Sequence, residues 1–148
     1  MKKFVFRNES YLRIKNDEDE TLKRALENVD KQIRSLEEAI SEIDERVLAE
    51  MESQEKESGQ GITADKLRQY ENFYRFMREE RKELLKKKAA LEEERAGIRE
   101  RLLKVHNEIK VLEEMKEEQH AEYLKEVALE EAKDMDTVLS FKIHEGAG

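Results

Sequence analysis

Apolar residues recur at alternating intervals of four and three along two long stretches of this chain, which is the spacing of a coiled-coil seam. Charged residues make up 45% of the sequence and apolar residues 37%, too few for a wide globular core but enough for a narrow seam between two helices. The second stretch runs from Leu67 to Leu112. The first consists of Leu22, Leu26, Val29, Ile33, Leu36, Ile40, Ile43 and Val47.

One interruption separates the stretches, at residues 58–63, and it holds two of the five glycines of a chain that has no proline. Gly59 and Gly61 supply the left-handed backbone that a reversal needs, and Thr63 is a typical N-cap. We therefore predict an all-α fold in which two long helices form an antiparallel coiled-coil hairpin, the second longer than the first. The predicted single domain has helix 1 at about 10–57, the tip at 58–63, helix 2 at about 64–136 and a flexible tail at 137–148.

Folding the chain about residue 60 pairs positions whose numbers sum to about 120. Arg81, Lys88 and Arg95 then lie on the seam at seven-residue spacing, where we expect them to reach acidic side chains of the first helix. In this register the first helix ends opposite Ile109, and the second extends about 20 residues further. This overhang is amphipathic, and we expect it to need a partner.

Composition and spacing argue against an enzyme. The chain has no cysteine and only three histidines, and its glycine pair lacks the Lys-Ser/Thr of a phosphate-binding loop. Glu117 and His120 have the Glu-x-x-His spacing of di-iron bundles, but no second motif of that kind accompanies them. A two-helix coil also has no concave pocket in which to desolvate paired carboxylates. We predict no catalytic residue, no cofactor and no metal site.

The net charge of −8 is unevenly distributed. Residues 1–62 carry 11 basic and 16 acidic side chains, residues 63–105 carry 13 and 9, and residues 106–148 carry 5 and 12. Folded back, the basic middle third compensates the acidic first helix, so we predict no nucleic-acid partner. The sequence has neither a signal-peptide core nor the roughly 18 apolar residues of a membrane span, so we expect a cytoplasmic protein with only peripheral membrane association.

Aromatic residues cluster just after the interruption. Tyr70, Tyr74 and Met77 fall on the seam. Phe73 then lies at the edge of the seam, and Phe76 lies farther round the helix. Large apolar side chains exposed near the turn indicate a contact surface for another protein. The alternative is a wider seam that buries Phe73.

The Gly-Gln-Gly-Ile sequence of residues 59–62 is followed by Tyr70, Phe73 and Met77. The chain also has Phe-Val-Phe-Arg at residues 4–7 and ends in a charged tail after residues 130–136. Together these features resemble the FliJ family, the soluble coiled-coil components of bacterial flagellar protein export.

The resemblance implies a non-enzymatic stalk similar to that of rotary ATPases. FliJ-like proteins engage the hexameric export ATPase FliI and promote its assembly and activity, contact the export gate and handle export chaperones. The resemblance therefore implies a role in flagellum biogenesis and motility, at the inner face of the cell membrane.

In the family, an aromatic and an aliphatic residue on the helix after the turn contact the cytoplasmic domain of the gate protein FlhA. By position these match Phe73 and Met77, with Tyr70 and Phe76 adjacent. Aromatic residues that some members contribute from the first helix have no match in this chain, which has Arg46 and Glu50 at those positions.

For the contact with the ATPase ring, the candidates are Tyr123, Leu124 and Val127 in the overhang. Two alternatives to a flagellar stalk remain open at this point. One is a structural coiled-coil scaffold that dimerises through the overhang, and the other is the stalk of a virulence-type type III secretion system.

Overall fold

The computed structural model describes residues 2–147, which form two long α-helices joined by a short turn. Helix α1 spans Glu9–Gln60 and helix α2 spans Ala64–Ala147, with 52 and 84 residues respectively. No strand occurs in residues 2–147. The helices pack against each other in antiparallel orientation, which confirms the predicted coiled-coil hairpin with a longer second helix.

The chain divides into two compact units where the sequence predicts one domain. The turn unit comprises Leu22–Leu102, and the terminal unit comprises Met1–Thr21 and Leu103–Gly148. In a two-helix coil each residue contacts only residues close to it along its own helix and directly across the seam. Packing is therefore local, and no single core needs to hold the whole chain.

The predicted seam forms the core of the turn unit. Every α1 position from Leu22 to Val47 in the four-three pattern is buried or half-buried. Val29, Ile33 and Ile98 make up the buried centre. Partly buried apolar residues pack around this centre, namely Leu22, Ala25, Leu26, Leu91 and Leu102.

Three ion pairs cross the seam of the turn unit at seven-residue intervals. They join Arg81 to Asp44 at 2.9 Å, Lys88 to Glu37 at 3.8 Å and Arg95 to Asp30 at 3.3 Å. The prediction that basic seam residues reach acidic residues of the first helix is confirmed. The residue numbers of each pair sum to 125 and not to 120, because α1 continues to Gln60 and shifts the point of reversal.

The terminal unit has its own apolar seam. Its buried apolar side chains are Phe6, Leu12, Val105, Ile109 and Leu112. Charged residues also lie at this seam. Lys15 Nζ lies 2.6 Å from Glu108 Oε2, and Asp19 Oδ1 lies 3.4 Å from His106 Nε2. The bond to Glu108, with a second bond to Glu18, raises the pKa of Lys15 above its usual value, so the amine stays charged.

Helix α1 begins at Glu9, close to its predicted start at about residue 10, but it lies further along α2 than predicted. The carbonyl of Asn8 accepts the N–H of Leu12 at 2.9 Å, so Asn8 occupies the N-cap position. Glu9 Oε2 lies 3.0 Å from Lys116 Nζ, whereas the predicted register ends the first helix opposite Ile109.

Helix α2 also continues beyond its predicted end near residue 136. Residues 137–147, which the sequence assigns to a flexible tail, form its last turns. Every side chain from residue 128 to residue 146 is exposed. The prediction was wrong because it ended the helix where the apolar seam ends, although no proline interrupts the helical backbone there.

The reversal between the helices uses one left-handed residue. Gly61 has a φ of 95°, and its N–H donates to the carbonyl of Ser58 at 3.4 Å. Gly59, which the sequence assigns to the same role, lies instead in the last turn of α1. Thr63 Oγ1 accepts the N–H of Lys66 at 3.2 Å, which confirms Thr63 as the N-cap of α2.

Alanine should have opposite effects at these two glycines. A Cβ at Gly59 meets no atom within 4 Å, and Gly59→Ala removes freedom from the unfolded chain. We expect it to raise the free energy of unfolding by about 0.5–1 kcal/mol. Gly61→Ala places a Cβ on a left-handed residue and should lower the free energy of unfolding by about 1 kcal/mol. Urea unfolding followed by circular dichroism measures both, and changes of the same sign would contradict the assigned turn.

Candidate functional site

The aromatic residues after the turn, together with Met77, are buried to different extents. Tyr70 is 6% exposed and Met77 is 2% exposed, so both belong to the seam. Phe73 and Tyr74 are half-buried, whereas Phe76 is 60% exposed. The surface that a partner can touch therefore consists of Phe76 and the accessible part of Phe73. Tyr70 and Met77, which the resemblance assigns to the gate contact, lie within the seam beneath this surface.

Two tyrosines fasten this part of α2 to α1. The Tyr74 hydroxyl donates to Gln54 Oε1 at 2.7 Å, and the Tyr74 ring stacks on Tyr70 with 6.4 Å between centroids. Burial raises the pKa of both tyrosine hydroxyls. A hydrogen bond to Glu57 raises the pKa of Tyr70 further, and the negative charge of Glu50 raises the pKa of Tyr74 further. Both hydroxyls therefore stay protonated at neutral pH.

Phe73 is held from both sides. Its ring packs edge-on against Tyr74 with 5.8 Å between centroids, and the Arg46 guanidinium lies 5.8 Å from its centroid. The first helix thus brings a cation to this face. A guanidinium over an aromatic face is favourable by about 0.5–1 kcal/mol at an exposed site, so Arg46 orients Phe73.

A groove of about 550 Å³ runs beside Phe76 between the two helices. Its floor is formed by Ala39 and Ile43 of α1 and Leu84 of α2. Its rim is charged and consists of Glu42, Arg46, Glu79, Glu80, Glu83 and Lys87. Sequence reasoning missed this groove, because its floor depends on which α1 side chains lie beside Phe76, and the predicted register was shifted. The signal in the sequence was Ala39, a small residue next to the seam.

The other side of α2 is basic. Arg78, Lys82, Leu85 and Lys86 line a second, shallower groove. Residues 78, 82, 85 and 89 follow helical spacing along one face of α2, whereas residues 76, 80, 83 and 87 follow it along another. Arg78 and Lys82 therefore lie on a different side of α2 from Phe76 and Glu80.

The three overhang candidates differ in accessibility. The Tyr123 hydroxyl donates to the carbonyl of Lys2 at 2.8 Å, and its ring lies 5.4 Å from that of Phe4. The N-terminal segment thus covers this part of α2, and the expectation of an unpaired overhang is wrong at Tyr123. Leu124 is 52% exposed and Val127 is half-buried.

Beyond Tyr123, α2 exposes a series of large apolar side chains. Leu124, Met135, Val138 and Leu139 follow helical spacing along one face. Among residues 2–147, no segment of the chain buries this face, since every side chain from 128 to 146 is exposed. An amphipathic face of this kind is typical of a site for a partner helix or groove.

No group of three or more His, Cys, Asp or Glu side chains within residues 2–147 is placed to hold a metal ion. His120 packs against the ring of Phe4 with 4.9 Å between centroids. In the same part of the chain, neither helix contains an apolar stretch long enough to cross a membrane.

The family model described as "Flagellar FliJ protein" matches residues 8–147 of the chain. The matched range includes nearly all of both helices and the whole turn between them. Comparisons with curated proteins and with solved structures give no match.

Two adjacent residues of α2 test the described surface. Met77→Ala removes a buried side chain and should lower the free energy of unfolding by about 2–4 kcal/mol. Phe76→Ala removes an exposed side chain and should change it by less than about 1 kcal/mol. Urea unfolding of the two variants provides the comparison, and a greater loss for Phe76→Ala would show that the side chains are placed differently.

Proposed function

The chain belongs to the FliJ family, and on that basis we propose that it is a non-enzymatic stalk of the flagellar export apparatus. In this role it couples the export ATPase FliI to the gate protein FlhA and promotes assembly and activity of the ATPase. The observation that carries the proposal is the family match, which extends over both helices. The match favours a flagellar system over a virulence-type secretion system.

A coiled coil of fixed register supports a coupling role. Apolar seam residues hold the helices together, the ion pairs of the turn unit disfavour shifts smaller than a heptad, and the turn distinguishes between heptads. Exposed ion pairs contribute only about 0–1 kcal/mol each, so they add specificity more than stability. A displacement of one helix is then transmitted to the other and is not lost in slippage.

We assign the gate contact to the surface just after the turn. Phe73 and Phe76 touch FlhA, because they are the accessible members of the aromatic cluster. Tyr70 and Met77 support them from within the seam. Large aromatic side chains surrounded by polar residues are typical centres of protein interfaces.

The contact with the ATPase ring uses the exposed face of α2 that begins at Leu124 and includes Val127. Tyr123 contributes indirectly, since it anchors the N-terminal segment through Lys2 and Phe4. The protein also handles export chaperones, and it works at the inner face of the cell membrane as a peripheral component.

A second candidate function is a structural scaffold that dimerises. The exposed apolar series from Leu124 to Ile143 favours it, because an unpaired amphipathic helix face can pair with a second copy. Analytical sedimentation separates the candidates. A monomer that stimulates FliI supports the stalk, and a stable dimer without stimulation supports the scaffold.

The proposal is tested with the full chain, the cognate FliI and the FlhA cytoplasmic domain. The unaltered chain should increase ATP hydrolysis by FliI and bind FlhA. The double variant Phe73→Ala/Phe76→Ala should weaken FlhA binding by about tenfold or more, because it removes both accessible aromatics, and should leave FliI stimulation unchanged.

Leu48→Ala is the control, because Leu48 is equally exposed on α1 of the same unit and should affect neither measurement. Binding of the aromatic double variant at wild-type strength would refute the gate surface. Absence of both stimulation and FlhA binding in the unaltered chain would refute the stalk.

A further inference from the structure

The groove beside Phe76 can receive a large side chain. Ala39 ends at its Cβ and leaves the floor open between Ile43 and Leu84. The volume of about 550 Å³ lies within the roughly 300–1,000 Å³ of pockets that bury small ligands. The floor is apolar and Phe76 forms one wall, so an apolar side chain is the occupant that gains most from burial there.

The charged residues on the rim favour a particular kind of partner surface around that apolar side chain. Four glutamates border the groove against two cations, and one of these cations, Arg46, is placed over the Phe73 ring. Glu83 pairs with Lys86 at 3.6 Å. Within residues 2–147, Glu42, Glu79 and Glu80 form no ion pair. A partner that brings arginine or lysine to the rim therefore gains electrostatic attraction.

We propose that this groove binds an apolar side chain presented by a partner protein on a surface rich in arginine and lysine. The proposal rests on the proposed function and specifies the chemistry of the gate contact. It extends that contact from Phe73 and Phe76 to the groove floor at Ala39 and to the acidic rim at Glu79 and Glu80.

A second copy of the chain is the competing occupant, since its basic side offers Leu85 between Lys82 and Lys86. Such a contact would join two different surfaces, and it would extend from copy to copy unless the rotation between copies closes a ring. A different partner protein can fill the groove in a complex that does not grow further. We therefore favour a separate partner over self-association.

The test uses the full chain and the FlhA cytoplasmic domain as the probe, with binding measured by titration calorimetry at several salt concentrations. Ala39→Leu fills the floor without removing a contact and should weaken binding by about tenfold. Glu79→Gln/Glu80→Gln removes rim charge and should weaken binding severalfold at low salt and flatten its salt dependence.

Arg78→Gln/Lys82→Gln is the matched control, because it changes two charges on the other side of α2 and should leave FlhA affinity within twofold. Circular dichroism of each variant checks that the helices are retained. Stimulation of FliI should be unchanged in all of them.

Three results would overturn the inference alone, and a fourth would also overturn the proposed function. If both groove variants bind FlhA with wild-type affinity and still stimulate FliI, the groove is not the binding site, whereas the proposed stalk function is unaffected. Weaker binding in the Arg78/Lys82 control assigns the contact to the basic side. Self-association of the unaltered chain that both Ala39→Leu and the Arg78/Lys82 variant abolish identifies a second copy as the occupant. Failure of the unaltered chain to bind FlhA or to stimulate FliI overturns the proposed function as well.

Discussion

Everything in this fold depends on the alignment of two heptad seams. Apolar positions repeat every seven residues on both helices, so sliding one helix by a heptad would again match apolar with apolar. The cross-seam ion pairs at Arg81, Lys88 and Arg95 repeat at the same interval and resist only smaller displacements. The turn distinguishes between heptads, because the left-handed Gly61 and the Thr63 cap fix where the chain reverses.

The functional surfaces follow from this alignment. Arg46 lies over Phe73, and Ala39 lies in the groove beside Phe76, only because the reversal places those α1 residues there. A shift of one heptad would bring other side chains to both places. A coiled coil thus obtains a specific binding surface without a globular core, from the side chains that flank its seam.

The sequence predicted whatever depends on local pattern. The four-three spacing from Leu22 to Val47 located the seam, and Thr63 marked the start of α2, since both signals are contained within a few residues. It did not predict properties that depend on the whole chain. A shift of the helix end to Gln60 moved every pairing, the N-terminal segment covered Tyr123, and the groove at Ala39 required the true register.

The alignment can be measured directly, because the chain contains no cysteine and accepts spin labels at chosen sites. Ser35→Cys/Ala90→Cys places two labels beside one shallow groove of the turn unit, whereas Ser35→Cys/Glu83→Cys moves the second label seven residues, about 10 Å, along α2. We predict the shorter separation for the first pair, unchanged when labelled protein is diluted with unlabelled chain. A shorter separation for the second pair, or a signal lost on dilution, would contradict an intramolecular hairpin in this register.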